Sequence, residues 1–162
     1  MSFSYCNYEY GCPSQVLDSL VALANTIFES DSGYRIADRI RGNRHGVLIQ
    51  CVYDHNSMIA FKIGYGVGHQ EQGKFYSWLG GVLPDYRRKG IATKLAFDQH
   101  QWAMENGYKK IYTKSQNRFK SMMILNLKLG FDLMDIERTS PRSKNKIIFC
   151  KKLSGDRESL IS

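Results

Sequence analysis

A basic turn between Val82 and Ala92 is the segment of this sequence best equipped for chemistry. It carries Arg87, Arg88 and Lys89 side by side, followed by Gly90, and it leads from an apolar run into a helical pattern. The N–H groups of such a turn and of the first helical residues have no partner within the helix, and the helix dipole adds a partial positive charge. Glycine lets the backbone come close to a ligand. The segment therefore predicts a site for a phosphate group.

Two common phosphate motifs are excluded for this turn. The GxxxxGK[ST] loop is absent, and the lone Gly90 does not make a GxGxxG dinucleotide fingerprint. A basic connection before an ordinary helix explains the turn equally well. The charge around it favours an anion, because residues 84–128 hold ten Lys or Arg against three Asp or Glu, a net +7 out of +8 for the chain. Phosphates, nucleic acid and acidic surfaces would all be attracted there.

Apolar periodicity predicts the elements that position this turn. Spacings of three and four residues predict helices within 14–30, 32–42, 90–106 and 117–130. Runs rich in β-branched and aromatic residues predict strands, after a first N-terminal strand, at 46–54, 57–67, 75–83, 109–115, 131–137 and 146–153. The order is β-α-α-β-β-β-α-β-α-β-β, a mixed α/β architecture. The strand ending at 83, the next helix and the strand from 109 form a βαβ unit, so these two strands should be parallel.

Length and composition indicate one globular unit. The chain has 162 residues, with 43% hydrophobic and 23% charged residues, which are ordinary values for a folded domain. It lacks an apolar run of membrane-spanning length and a signal peptide, so we expect a cytoplasmic protein without a membrane partner. The four cysteines are scattered, and no His or Cys cluster has zinc-ligand spacing, so neither a metal nor a cysteine nucleophile is expected.

The turn and its surroundings resemble the GNAT N-acetyltransferase family. Arg87, Gly90 and Ala92 fill the pattern [Q/R]-x-x-G-x-[G/A] of that family's coenzyme A pyrophosphate loop. The Val-x-Pro sequence from Val82, the stretch from Asn117 to a Gly-Phe pair and the predicted element order are also similar, over roughly residues 5–153. The resemblance implies the GNAT acyl-CoA N-acyltransferase fold for a single domain at 1–153, with a flexible tail at 154–162.

The resemblance also implies where acetyl-CoA would bind. The strand ending at Val82 would splay from its parallel neighbour, and the backbone of Leu79, Gly81 and Val82 would bond the pantetheine arm between them. The pyrophosphate would lie on the turn, held by Arg87, Arg88, Lys89, Gly90, Ile91 and Ala92. Asn117 is a further candidate contact on the arm, although a helix N-cap explains it equally well. The Gly80–Gly81 pair indicates either a bulge or close ligand approach, or mere packing against a helix.

The implied reaction is direct attack of an amine on the thioester, for which the catalytic residues depart from the family. Many relatives carry a tyrosine as general acid where this chain has Asn126. An amide cannot supply a proton, so Asn126 is instead a candidate to hydrogen-bond the thiolate or the substrate, and a buried, satisfied amide explains it equally well. Some relatives carry a glutamate base where Tyr76 stands, so Tyr76, with Trp78, is expected to line the acceptor pocket. Glu71, with His69 in the same polar loop, and Tyr112 are the other candidates for the base.

Three functions follow from these observations. The first is an acetyl-CoA-dependent N-acetyltransferase that acts on a primary amine of a small molecule or peptide. The second is a GNAT-like CoA-binding protein with little catalysis, because the acid and base of the family are replaced. The third and weakest is nucleic-acid binding through the basic segment, with interleaved aromatic residues for base stacking at Tyr86, Tyr108, Tyr112 and Phe119. The sequence leaves open whether the protein forms a homodimer.

Overall fold

A seven-stranded mixed sheet forms the frame of the computed structural model, which describes residues 2–28, 32–42, 46–68 and 73–153. The strands are β1 Ser4–Glu9, β2 Val47–Asp54, β3 Ser57–Val67, β4 Lys74–Val82, β5 Lys110–Gln116, β6 Asp132–Glu137 and β7 Lys146–Lys152. The helices are α1 Ser14–Phe28, α2 Ser32–Gly42, α3 Ile91–Glu105 and α4 Lys120–Lys128. The predicted fold class and element order are confirmed.

The strands lie in the order β1-β2-β3-β4-β5-β7-β6. All neighbours are antiparallel except β4 and β5, which are parallel as the βαβ unit predicts. Helices cover both faces, which explains why the first six residues of the central strand β2 are all buried.

Strand parity divides the core between the two faces of the sheet. On one face, Leu20 and Ile36 of α1 and α2 pack on Ile49 and Phe61. On the other, Leu95 of α3 packs against the residues of alternate parity. Each such side chain contributes about 1.5–3 kcal/mol when fully buried. The two helical layers therefore fix the sheet from both sides and leave its strand ends available for a site.

The ladder between β4 and β5 stops after three residue pairs, Lys74–Lys110, Phe75–Ile111 and Tyr76–Tyr112. The two strands separate after these pairs, at a point called the fork below. There the Thr113 hydroxyl donates to the Ser77 carbonyl at 2.8 Å. A register shift opposite Ile63 and Gly64 also makes Trp78 an extra residue of β4. From Ser77 to Val82, β4 therefore pairs with β3 on one side only, and a cleft opens towards β5.

The predicted tail at 154–162 lies outside the described residues. Within the described ranges, no helix is long and apolar enough to cross a membrane. The same part of the chain holds no group of three His, Cys, Asp or Glu residues placed to bind a metal ion.

Candidate functional site

The open edge of β4 presents backbone groups to the cleft. Leu83 N–H donates to Ile59 C=O at 2.9 Å. Because the hydrogen-bonding direction alternates along an antiparallel pair, Leu79 and Gly81 point their backbone groups at β3, whereas Gly80 and Val82 point theirs at the cleft. Leu79, Gly81 and Val82 were predicted to bond the pantetheine arm through their backbone groups. Of these three residues, Val82 points its backbone groups at the cleft; Gly80, which does so as well, was missed.

Gly81 serves helix packing rather than a bulge. A Cβ atom at this position would lie 3.0 Å from Ile27 Cδ1 and 3.2 Å from its Cγ2. The bulge of β4 lies earlier, at Trp78. The alternative of packing against a helix, stated for the glycine pair, therefore holds for Gly81.

The basic turn begins with a single 3-10 turn, Pro84–Tyr86, that is anchored to the sheet. Tyr86 donates its hydroxyl to Asp54 Oδ2 at 2.8 Å, and this bond lowers the pKa of the Asp54 carboxyl. Arg87 Nε donates to Val82 C=O at 3.1 Å. The position of the turn relative to the open edge is therefore fixed by side chains on both sides.

Beyond Arg87 the backbone takes a shape that exposes its amides. Arg88 has φ +61° and Gly90 has φ +78°, and a Cβ atom on Gly90 would meet nothing within 4 Å. Lys94 N–H donates to Gly90 C=O, so the amides of Ile91 and Ala92 precede the first helical hydrogen bond and are free of it. The side chains of Arg88 and Lys89 are exposed beside them. The turn therefore presents free amides and basic side chains together, an arrangement suited to a phosphate group.

On the far side of the cleft, Asn117 and Asn126 have defined partners. Asn117 does not cap α4, whose N-cap is Phe119; its Oδ1 accepts from Lys120 Nζ at 2.7 Å. Asn126 is 5% exposed and donates from Nδ2 to Ser115 Oγ at 3.1 Å. Ser115 lies on β5 beyond the last pair with β4, so this buried hydrogen bond sits beside the cleft.

A half-buried lysine, Lys62, lies on the α3 side of the sheet next to the open edge. The Lys62 side chain passes over Gly80, and a Cβ atom on Gly80 would lie 3.4 Å from Lys62 Cγ. Burial lowers the pKa of Lys62 to about 8. Burial and the charges of Lys151 and Lys62 lower the pKa of His100 to about 3, so this imidazole is neutral. In the sequence, Lys62 stands at an inward-facing position of a predicted central strand. This position was the available signal for a charged group beside the core, and it was missed.

The opposite face of the sheet carries four aromatic rings, Tyr65, Tyr76, Trp78 and Tyr112, called the aromatic face below. Tyr76 stacks on Tyr112 with ring centroids 4.6 Å apart, and Tyr65 meets Tyr76 and Trp78 edge-on at 5.5 and 6.1 Å. Burial raises the pKa of Tyr76 to about 12 and also raises the pKa of Tyr112. Both phenols are neutral near pH 7, so neither acts as a base there.

Two charged groups of the aromatic face were missed by sequence reasoning. Arg39 of α2 lies over the Trp78 ring, 4.7 Å from its centroid. Glu137 of β6 pairs with Lys114 of β5, and its charge contributes to the raised pKa of Tyr76. The predicted candidates Glu71 and His69 lie outside the described residues.

A sequence model described as the acetyltransferase (GNAT) family matches residues 15–131 of the chain. The chain belongs to the GNAT family. No curated protein matches it significantly. GNAT structures nevertheless share its fold at low identity, which supports the architecture alone.

Three solved structures illustrate this shared GNAT fold. A Desulfovibrio desulfuricans protein described as a GNAT-family acetyltransferase has TM-score 0.79 and 10% identity, over 94% of this chain and 100% of its own. The Escherichia coli ribosomal-protein-S18-alanine N-acetyltransferase has TM-score 0.75 and 20% identity, over 97% and 100%. The PaiA N-acetyltransferase of Thermoplasma acidophilum, in complex with coenzyme A, has TM-score 0.72 and 16% identity, over 94% and 99%.

Proposed function

We propose that this protein transfers the acetyl group of acetyl-CoA to a primary amine. The observation that carries the proposal is the open edge of β4, which leads from the fork at Ser77 and Thr113 to the basic turn at Gly90. An extended acyl-pantetheine arm fits beside an unpaired strand edge, and a pyrophosphate fits the free amides and basic side chains of the turn. GNAT structures with bound coenzyme A, such as the Thermoplasma protein, support the same ligand.

The residues of the turn and the edge would divide the binding of acetyl-CoA. The exposed side chains of Arg88 and Lys89 and the amides of Gly90, Ile91 and Ala92 hold the pyrophosphate, while Arg87 keeps the turn against Val82. Gly80 and Val82 offer backbone groups to the arm, next to the predicted contacts Leu79 and Gly81. Asn117 stands near the mouth, where Lys120 holds its side-chain oxygen.

Acetyl-CoA supplies the thioester, whose carbonyl carbon bonds to the amine nitrogen while its carbon–sulfur bond breaks. We assign the proton that the amine loses to Glu137, whose carboxylate is held on the aromatic face by its ion pair with Lys114. Asn126 positions Ser115 by donating to its Oγ, which leaves the Ser115 hydroxyl proton free for a hydrogen bond to the departing sulfur. Tyr76 lines the acceptor pocket as a neutral phenol.

The proposal is tested by calorimetric titration with acetyl-CoA, followed by an assay of thiol release with a panel of amines. Arg88→Glu should weaken acetyl-CoA binding roughly ten- to hundredfold, because it replaces a charge-assisted contact with repulsion. Lys128→Glu is the matched control, an equal charge change on an exposed residue at the end of α4. Equal affinity of the Arg88 and Lys128 variants would refute the assigned loop.

The same titration separates the alternative functions. Tight binding of acetyl-CoA without thiol release for any amine would favour a CoA-binding protein with little catalysis. Undetectable binding of acetyl-CoA, together with steeply salt-dependent binding of nucleic acid, would favour the third reading of the basic segment.

A further inference from the structure

Arg39, an exposed residue of α2, contacts two aromatic rings at one end of the aromatic face, and no described acidic residue pairs with it. Its Nη1 donates to the Tyr65 hydroxyl at 2.7 Å, and its guanidinium lies over Trp78 at 4.7 Å and over Tyr65 at 6.0 Å. Among the residues that the structure describes, no carboxylate lies within ion-pair distance of it. The guanidinium is therefore oriented by a phenol and an indole, while its remaining N–H donors are open to a ligand.

The rest of the aromatic face sets the charge that such a ligand should carry. Tyr76 and Tyr112 are neutral, and Lys114 is paired with Glu137, so the cation of Arg39 is left unbalanced among the described side chains. A single unbalanced cation matches a monoanion, whereas a phosphate with nearly two negative charges would need a second one. A planar guanidinium also matches a carboxylate in two parallel hydrogen bonds.

The position of Arg39 links this anion to the acetyl acceptor. The Arg39 guanidinium lies over the ring of Trp78, and Trp78 is the bulged residue of β4 directly after the fork with β5. Tyr76 packs edge-on against Tyr65, whose hydroxyl accepts a hydrogen bond from Arg39. A molecule on the aromatic face therefore reaches the cleft while one end contacts Arg39.

We propose that the acceptor is an amine that also carries a carboxylate, and that Arg39 binds this carboxylate. The assignment rests on the proposed acetyl transfer for its reaction, although the binding of the anion can be measured without turnover. The carboxylate can belong to a free amino acid or to an acidic residue of a peptide. Both sources present the same group to Arg39.

The turnover experiment compares matched acceptors with and without the carboxylate. Phenylalanine is paired with phenethylamine, and a peptide with glutamate at its second position is paired with the same peptide carrying glutamine. We expect kcat/KM of the wild type to favour the carboxylated member roughly ten- to hundredfold, mainly through KM. Preference within the first pair alone identifies a free amino acid, and preference within the second pair alone identifies a peptide.

Variants at position 39 connect the preference to the guanidinium. Arg39→Met should abolish the preference, and Arg39→Lys should retain part of it, because a lysine keeps the charge but loses the planar fork. Arg41→Met is the control, an exposed arginine two positions later in α2 that does not share the helix face of Arg39, and it should behave as the wild type. An equal preference in the wild type and Arg39→Met, or none in the wild type for either pair, would overturn the assignment.

A binding measurement keeps the assignment testable if no amine is turned over. The chain has two tryptophans, and Trp78 lies under the guanidinium, so its fluorescence should report ligands of the aromatic face. N-acetylphenylalanine should bind the wild type at least tenfold more tightly than N-acetylphenethylamine, and Arg39→Met should bind both equally. If no amine is turned over but the wild type still binds N-acetylphenylalanine more tightly than N-acetylphenethylamine, acetyl transfer is rejected and the anion site is kept. Equal binding of both ligands to the wild type would reject the site itself.

Discussion

Replacing Lys62 by methionine should stabilise the protein near pH 7, and the gain should disappear at high pH. The Lys62 side chain is half-buried on the α3 side of the sheet, and no hydrogen bond or ion pair to another described residue compensates its charge. A tenfold change in proton affinity corresponds to about 1.4 kcal/mol, so a fall of the pKa from 10.5 to about 8 implies a cost on the order of 3 kcal/mol. Methionine keeps the length of the stem and removes the charge.

The pH dependence of this cost follows from the two pKa values. Below about pH 8 the lysine is charged in both states, and the folded protein bears the whole cost. Between about 8 and 10.5 the folded state releases its proton first, so wild-type stability rises with pH and approaches that of Lys62→Met. His100 and Lys151 share this side of the sheet, but His100 is neutral throughout this range because its pKa is about 3.

Urea denaturation followed by circular dichroism would measure the effect at pH 7 and at pH 10. We expect Lys62→Met to gain about 2–3 kcal/mol at pH 7, equivalent to roughly 4–12 °C in Tm, and to lose most of that gain at pH 10. Lys152→Met, an exposed lysine of β7, should change stability by less than about 0.5 kcal/mol at either pH. A Lys62→Met gain that stays constant across this range, or a loss of stability at pH 7, would refute the reasoning.

Three other substitutions test the site and its support. Glu137→Gln should lower kcat at least tenfold, since the amide cannot take the proton, while acetyl-CoA affinity measured by calorimetry stays within twofold. Unchanged kcat would exclude Glu137 as the base. Asn126→Ala should lower kcat and cost roughly 1–3 kcal/mol of stability in urea denaturation, because Ser115 loses its buried partner; full activity would leave Asn126 a purely structural residue. Gly81→Ala should lower the free energy of unfolding by about 1–2 kcal/mol, because the added methyl group crowds Ile27. Gly42→Ala, which has open space around it, should not lower it. Equal denaturation midpoints of the two variants would contradict the packing role of Gly81.

The sequence predicted the element order because period and parity are local properties of the chain. The strands are recognised from runs of β-branched and aromatic residues within their own segments, and Gly90 marks the start of α3 where its positive φ is required. The basic turn was also visible, since its charges, glycine and helix are consecutive. A site made of one continuous segment can be inferred without knowing where the rest of the chain lies.

The remaining parts of the candidate site depend on distances between elements. Arg39 and Tyr65 are 26 positions apart, and only the placement of α2 on the sheet brings them together. Glu137 reaches Lys114 across 23 positions. The direction of the backbone at Gly80 and Gly81 depends on their register with β3, which a strand pattern does not specify.

The fork between β4 and β5 divides the sheet into two parts that are each continuous along the chain. Residues 4–82 contain β1 to β4, and residues 110–152 contain β5 to β7. Because β1 to β4 pair only with one another within residues 4–82, apart from the short ladder to β5, we expect the first part to assemble on the ribosome before β5 has been synthesised. The cleft edge of β4 would then be exposed in the nascent protein, and α3, the next element to emerge, packs on β3 and β4 beside it. The order of synthesis thus places α3 beside this sheet edge before the second part of the chain docks.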